Sequence, residues 1–222
     1  MIEGPSVWEY LDRQWPRIQP LVREQVELIL ISVLLAALIG VTLGVLISDR
    51  PRLADGVQAV ASGVLTIPSL ALLTLFIPLF GLGWTSTVVA LVLYAQLPII
   101  RNTVTGMRGV EPDILESARG IGMSTSRRLL RVQLPLAWPV ILAGLRVATM
   151  MMFGISAIAA YVNGPGLGNL VFTGLSRLGS VNAQNQALVG GFGIALLALL
   201  FDGGYLLLRR FTVPRGMRGI RV

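Results

Sequence analysis

The sequence predicts an all-α, polytopic membrane protein with about five transmembrane helices. Two observations carry that expectation. Of the 222 residues, 54% are hydrophobic, and the mean hydropathy is +0.76, above what a soluble domain of this size shows. The apolar residues also fall in long charge-poor runs separated by short arginine-bearing segments. A hydrocarbon core of about 30 Å needs roughly 20 helical residues at 1.5 Å each, and the runs have that length.

Leu28 to Ser48 is uncharged and gives a span over 28–48. Gly56 to Ile100 is uncharged over 45 residues. As one helix it would be roughly 67 Å long, twice too long. The Gly81-Leu82-Gly83-Trp84 stretch is the natural turn, so two spans are expected, at 57–80 and 84–100. Pro68 and Pro78 could break the first of these and make the count six. Spans at 136–161 and 187–208 follow, each with one charge, Arg146 and Asp202. The first 27 residues carry acids, arginines and three prolines, and the first run is too long for a cleaved leader. Trp8, Tyr10 and Trp15 suit the headgroup zone, so 1–27 is expected to be an interfacial, extracytoplasmic segment.

Five spans put the termini on opposite sides. The segments 49–55, 101–133 and 209–222 then share one face with 13 arginines, against 4 on the other. Arginine excess marks the cytoplasm, which places the N-terminus outside, the C-terminus inside and 213–222 as a cytoplasmic tail. A formal charge of +7 is thus read as topology and not as nucleic-acid binding.

The composition excludes much chemistry. The chain has no Cys, no His and no Lys. Thiol chemistry, imidazole acid/base work and His-ligated zinc are unavailable. A phosphate-binding loop needs its Lys, so ATP hydrolysis by that route is unavailable too. No residue is expected to be catalytic or to bind a metal.

The span 28–212 is interrupted by one long polar stretch, 101–135. It reads as two short helices. Pro112 suits a first turn, with Asp113 and Glu116 near the positive end of the helix. Ile114, Leu115, Ala118 and Ile121 make one apolar stripe. Gly120 and Gly122 stop the helix, and Ser124 caps a second that runs through Leu134. An apolar stripe with basic flanks at a membrane face is built to dock onto a partner.

Glu116, Ala118, Gly122, Val132, Leu134 and Pro135 reproduce E-x-A-x3-G-x9-V-x-L-P. The spacing resembles the EAA loop of bacterial ABC importer permeases, with Ser117 in place of the second Ala and Val132 in place of Ile. The resemblance implies a type I importer permease fold and a coupling role for Glu116, Ser117, Ala118, Gly120, Gly122, Leu134 and Pro135, which would dock at 111–135 on a separate ATP-binding subunit. ATP-Mg would reside there, with no cofactor in this chain. A second permease copy or homologue, an extracytoplasmic substrate-binding protein and membrane lipid are the other implied partners. TIPSLALL (66–73), 97–123 and 134–149 resemble the subfamily importing glycine betaine, carnitine and choline.

Pathway candidates are fewer. Ile67-Pro68-Ser69 is a candidate hinge, because a proline inside a span leaves backbone groups to be satisfied locally. Arg146, inside a span, must face protein or water; a substrate carboxylate, helix carbonyls, a partner subunit or an interhelical pair with Asp202 would each serve. The Gly- and Asn-rich segment 162–186, with Asn163 and an amphipathic stretch Leu167–Leu178, is expected at the outer surface. Gly40, Gly44, Gly144 and Gly154 are candidates for close helix approach. The alternative function is an ion-gradient-driven secondary transporter or channel, for which intramembrane acids or inverted repeats are the usual signs; Asp202 is the single acid in the five spans.

Overall fold

The computed structural model describes residues 5–213, so the remainder of the predicted tail lies outside the described residues. The described chain is helical throughout, without strands. Helix α1, Val7–Ile47, is 41 residues long. It starts on a capping box, with Ser6 Oγ accepting from Glu9 N–H and Glu9 Oε2 accepting from Ser6 N–H. The chain does not break at 27–28: the N-terminal segment and the first span form one helix, which at about 61 Å reaches well beyond a bilayer core.

The 57–80 run differs most from expectation. It is a short helix α2, Pro51–Thr66, followed by α3, Ser69–Leu75, and α4, Ile77–Phe80. The arms before and after Ile67-Pro68 are bent by 97°. The cause is local: Pro68 has no N–H, and a residue before proline avoids the helical region. Ile67 accordingly sits at φ −72°, ψ 128°, and Pro68 at ψ 135°. Four helices are long and apolar enough to cross a membrane, or five if this bent pair counts as one span.

Helix α5, Trp84–Arg108, is the hub of the bundle, packed against α1, α2 and the later helix α8, Leu134–Ile158. Between α5 and α8 lie α6, Pro112–Gly120, and α7, Thr125–Arg128. Helix α7 runs through a π turn, Leu129–Gln133, directly into α8, so 125–158 is continuous and the expected start at 136 is not a helix end. A 3₁₀ turn, Ala159–Val162, leads to α9, Gly168–Ser176, inside the stretch read as amphipathic. Helix α10, Ala183–Thr212, closes the bundle.

Little hydrophobic drive brings helices together in lipid, so close fit must do it. A Cβ on Gly40 would lie 2.7 Å from Ile99 Cγ2, and one on Gly44 2.6 Å from Thr103 Cβ, so α1 meets α5 backbone-close. Gly144 does the same against Asn102 on α5. Gly154 does not: nothing lies within 4 Å of its notional Cβ. Buried hydroxyls and amides in this core bond to helix carbonyls, as Thr103 Oγ1 does to Ile99 O and Gln96 Nε2 to Val92 O. Large apolar side chains point outward on α1 and α10, among them Leu34, Leu38, Phe192 and Leu199, which suits a lipid surround.

Overpacking the α1–α5 contact costs about 1–3 kcal/mol. Gly44→Leu should therefore lower the detergent-solubilised Tm by several degrees, whereas Gly56→Leu, with open space around its Cβ, should leave it in place. Thermal unfolding followed by fluorescence reads the difference.

Candidate functional site

Four places in this fold hold the chemistry-bearing residues. The first is the polar end at α6–α7. Pro112 occupies the first turn of α6 with Asp113 beside it. The helix ends in a Schellman motif, Met123 N–H donating to Ala118 O at 3.1 Å and Gly122 N–H to Arg119 O at 3.0 Å. That motif needs a left-handed residue, and Gly122 supplies it at φ +82°. Ser124 Oγ then accepts from Arg127 N–H, capping α7. Glu116, Ser117, Gly120 and Gly122 are exposed on this projection, while Ala118 is buried under it. Ile121 is 76% exposed at the turn, an apolar side chain on an otherwise charged surface. Leu134 and Pro135 stand apart, where the π turn joins α8. Pro135 has no N–H to offer the preceding turn, and Leu134 N–H reaches Leu129 O instead.

The second place is the break at Ile67-Pro68. The Ile67 carbonyl, left without a helical donor, accepts from Tyr94 Oη at 2.5 Å. Tyr94 is buried on α5, so the bend is fastened to the hub of the bundle. Leu72 and Leu73 of α3 pack with Tyr94, Ala159 and Val162, which ties the bent arm to the 3₁₀ turn.

The third place is the loop from that turn to α9, at the end opposite α6–α7. Asn163 takes φ +55°, a conformation asparagine tolerates. Gly83 N–H donates to Val162 O at 2.9 Å, linking the loop to the α4–α5 corner. Two side chains of α1 clamp the loop from outside. Glu24 Oε2 accepts from Gly166 N–H at 3.1 Å, and Gln25 Oε1 accepts from Leu167 N–H at 3.2 Å. Gln25 Nε2 donates to Ser156 Oγ at 2.8 Å, so one fully buried amide joins α1, α8 and the loop. Gly166 is at φ +105°, and a Cβ there would meet Gln25 Oε1 at 2.5 Å. Glu24 and Gln25 were not identified from the sequence. The signal was the N-G-P-G-L-G run, which demanded a partner without saying which.

Arg146 stands on a different seam, between α8 and α10. Its Nε and Nη2 donate to the two carboxylate oxygens of Asp202 at 2.5 and 2.7 Å. The pair is flanked by a Thr149–Tyr205 hydroxyl bond at 2.8 Å and an edge-to-face Phe153–Phe201 contact. Of the four pathway candidates, Pro68, Ser69 and Asn163 are thus linked through α3 and the 3₁₀ turn, and Arg146 is not among them.

The described chain is thus an apolar helical bundle with the exposed α6–α7 turn at one end and a clamped loop at the other. Residues 29–213 match the family described as binding-protein-dependent transport system inner membrane component. The chain belongs to that family and is an integral membrane permease subunit. It is 38% identical over 199 residues to the choline transport system permease protein OpuBB of Bacillus subtilis, covering 89% of each chain. It is 42% identical to the osmoprotectant import permease protein OsmW of Salmonella typhimurium, covering 87% of this chain and 89% of that one. Among solved structures, the inward-facing MetNI methionine ABC transporter superposes with a TM-score of 0.76 at 23% identity, over 90% of this chain and 99% of that one.

Removing one partner of a paired charge within a membrane strands the other. Arg146→Leu and Asp202→Leu should each lower the Tm of the solubilised protein, and the double replacement should recover part of the loss. A double-mutant cycle on Tm checks this, and strict additivity would contradict the pairing.

Proposed function

We propose that this chain forms half of the pathway of an ATP-driven importer for a quaternary-amine osmoprotectant of the glycine betaine, carnitine or choline type. A second permease copy or homologue completes the pathway, because one bundle of this size encloses no gated channel. The N-terminus lies outside and the C-terminus in the cytoplasm. The observation that carries the coupling role is the α6–turn–α7 projection, with Glu116, Ser117, Gly120 and Ile121 exposed beside Gly122. An ATPase subunit that binds ATP-Mg grips this projection, and an extracytoplasmic binding protein delivers solute at the opposite end. The relatives' names support the solute class.

Transport then follows from the fastenings. Motion of the ATPase moves α6–α7, and the continuous helix from Thr125 to Ile158 carries it to the far end of the bundle. The bend at Pro68-Ser69 gives, while Tyr94 keeps the freed Ile67 carbonyl satisfied as access alternates. The ion-driven alternative is disfavoured by one observation: Asp202, the single acid of the five predicted spans, is paired with Arg146 through both carboxylate oxygens and offers no free carboxylate to a proton or sodium ion.

Gly120 is the better probe of docking than Gly122. It has open space around it and an ordinary φ, so Gly120→Trp adds bulk to the projection without straining the turn. Co-purification in detergent with the candidate ATPase should succeed for the wild-type chain and fall at least tenfold for Gly120→Trp, with membrane insertion unchanged. Equal capture of both would remove the docking role from this turn.

A further inference from the structure

The end of the bundle opposite α6–α7 also carries an aromatic pair. Tyr161, on the 3₁₀ turn, and Phe172, on α9, stand edge to face with ring centroids 4.1 Å apart. Tyr161 is 64% exposed, although the turn around it is held firmly: Ala159 and Val162 are buried against α3. The pair borders a groove of about 440 Å³ that also takes in Asn169, Thr173, Leu175 and Ser176.

The lining has no acid and no base, so it offers nothing to an inorganic ion that needs a carboxylate. It offers two aromatic rings and the C-terminal end of α9, the negative end of the helix dipole. Asn169 turns its amide Nδ2 away, donating to Gly164 O at 2.9 Å and Gly166 O at 3.1 Å, so its acceptor oxygen is the end left over. The exposed Tyr161 ring, the Phe172 ring beside it and an amide oxygen together suit a large, weakly hydrated cation held by cation–π attraction. The turn that carries Tyr161 packs on the arm after the Pro68 bend, through Ala159 and Val162 against Leu72 and Leu73. A cation resting there would bear on the bent segment.

We infer that Tyr161 and Phe172 form a transfer site for the trimethylammonium head of the solute, at the outer mouth of the pathway. This rests on the quaternary-amine reading above. The site receives the head as the binding protein releases it, and the groove's breadth and exposure make it a way-station of modest affinity.

The test uses the full complex in proteoliposomes, with ATP inside and choline-loaded binding protein at saturation outside. Uptake of radiolabelled choline and ATPase stimulation are read together. Tyr161→Leu and Phe172→Leu should each slow uptake by about 2- to 30-fold, the range that loss of one cation–π contact covers. Stimulation of the ATPase should persist, so more ATP is used per choline. Tyr161→Phe, which keeps the ring, should behave as wild type. Uptake unchanged in both leucine variants would overturn the inference, as would parallel loss of uptake and stimulation, which would make the rings a docking surface for the binding protein. Failure of the wild-type complex to carry choline, glycine betaine or carnitine would instead remove the solute class itself, before any variant is compared.

Discussion

Everything in this fold depends on α5 being approached closely from both sides. Gly40 and Gly44 of α1 and Gly144 of α8 bring backbones to side-chain distance of it. In lipid, where apolar side chains gain little by leaving their surroundings for one another, such fit supplies the association. The buried polar groups of this hub bond mostly along their own helices, as Thr103 and Gln96 do. Tyr94 is the telling exception. It spends its hydroxyl on another element, the Ile67 carbonyl at the extended break before Pro68. A rigid axle and a bend fastened to it are thus parts of one arrangement.

The fastenings divide into two kinds. At the polar end, α6 and α7 hold to each other and to the start of α8 by local means: a Schellman turn, a serine cap and a π turn. Such a projection can be pushed as a unit. At the opposite end the loop before α9 is held by contacts far apart in sequence, Glu24 and Gln25 from α1 and Gly83 from the α4–α5 corner. The long α7–α8 rod therefore ends at a loop that α1 and the α4–α5 corner also hold. The Arg146–Asp202 pair ties α10 to that rod.

Much of this was legible in the sequence wherever the cause is local. The long apolar runs, the turn at Gly81–Trp84, the α6 stop at Gly120 and Gly122, and the cap at Ser124 are each set by residues within one or two turns. Pro68 and Ser69 were marked as a break, but its size was not. A proline says that a helix will end or kink, whereas the 97° angle is set by what the next arm packs on, here Tyr94 and the 3₁₀ turn. The single helix from Val7 was missed because the uncharged run begins at Leu28, and a change from charged to apolar composition does not by itself end a helix. Glu24 and Gln25 were invisible for a different reason. Their partners lie 131 to 142 residues away, and no periodicity encodes a contact at that separation.

The central claim is that this bundle imports a quaternary amine by coupling to ATP hydrolysis on another subunit. Uptake of radiolabelled glycine betaine into proteoliposomes holding the chain, its ATPase and its binding protein tests it most directly. The account predicts accumulation that requires ATP and does not respond to an imposed sodium or proton gradient. Accumulation driven by such a gradient with ATP absent would contradict it.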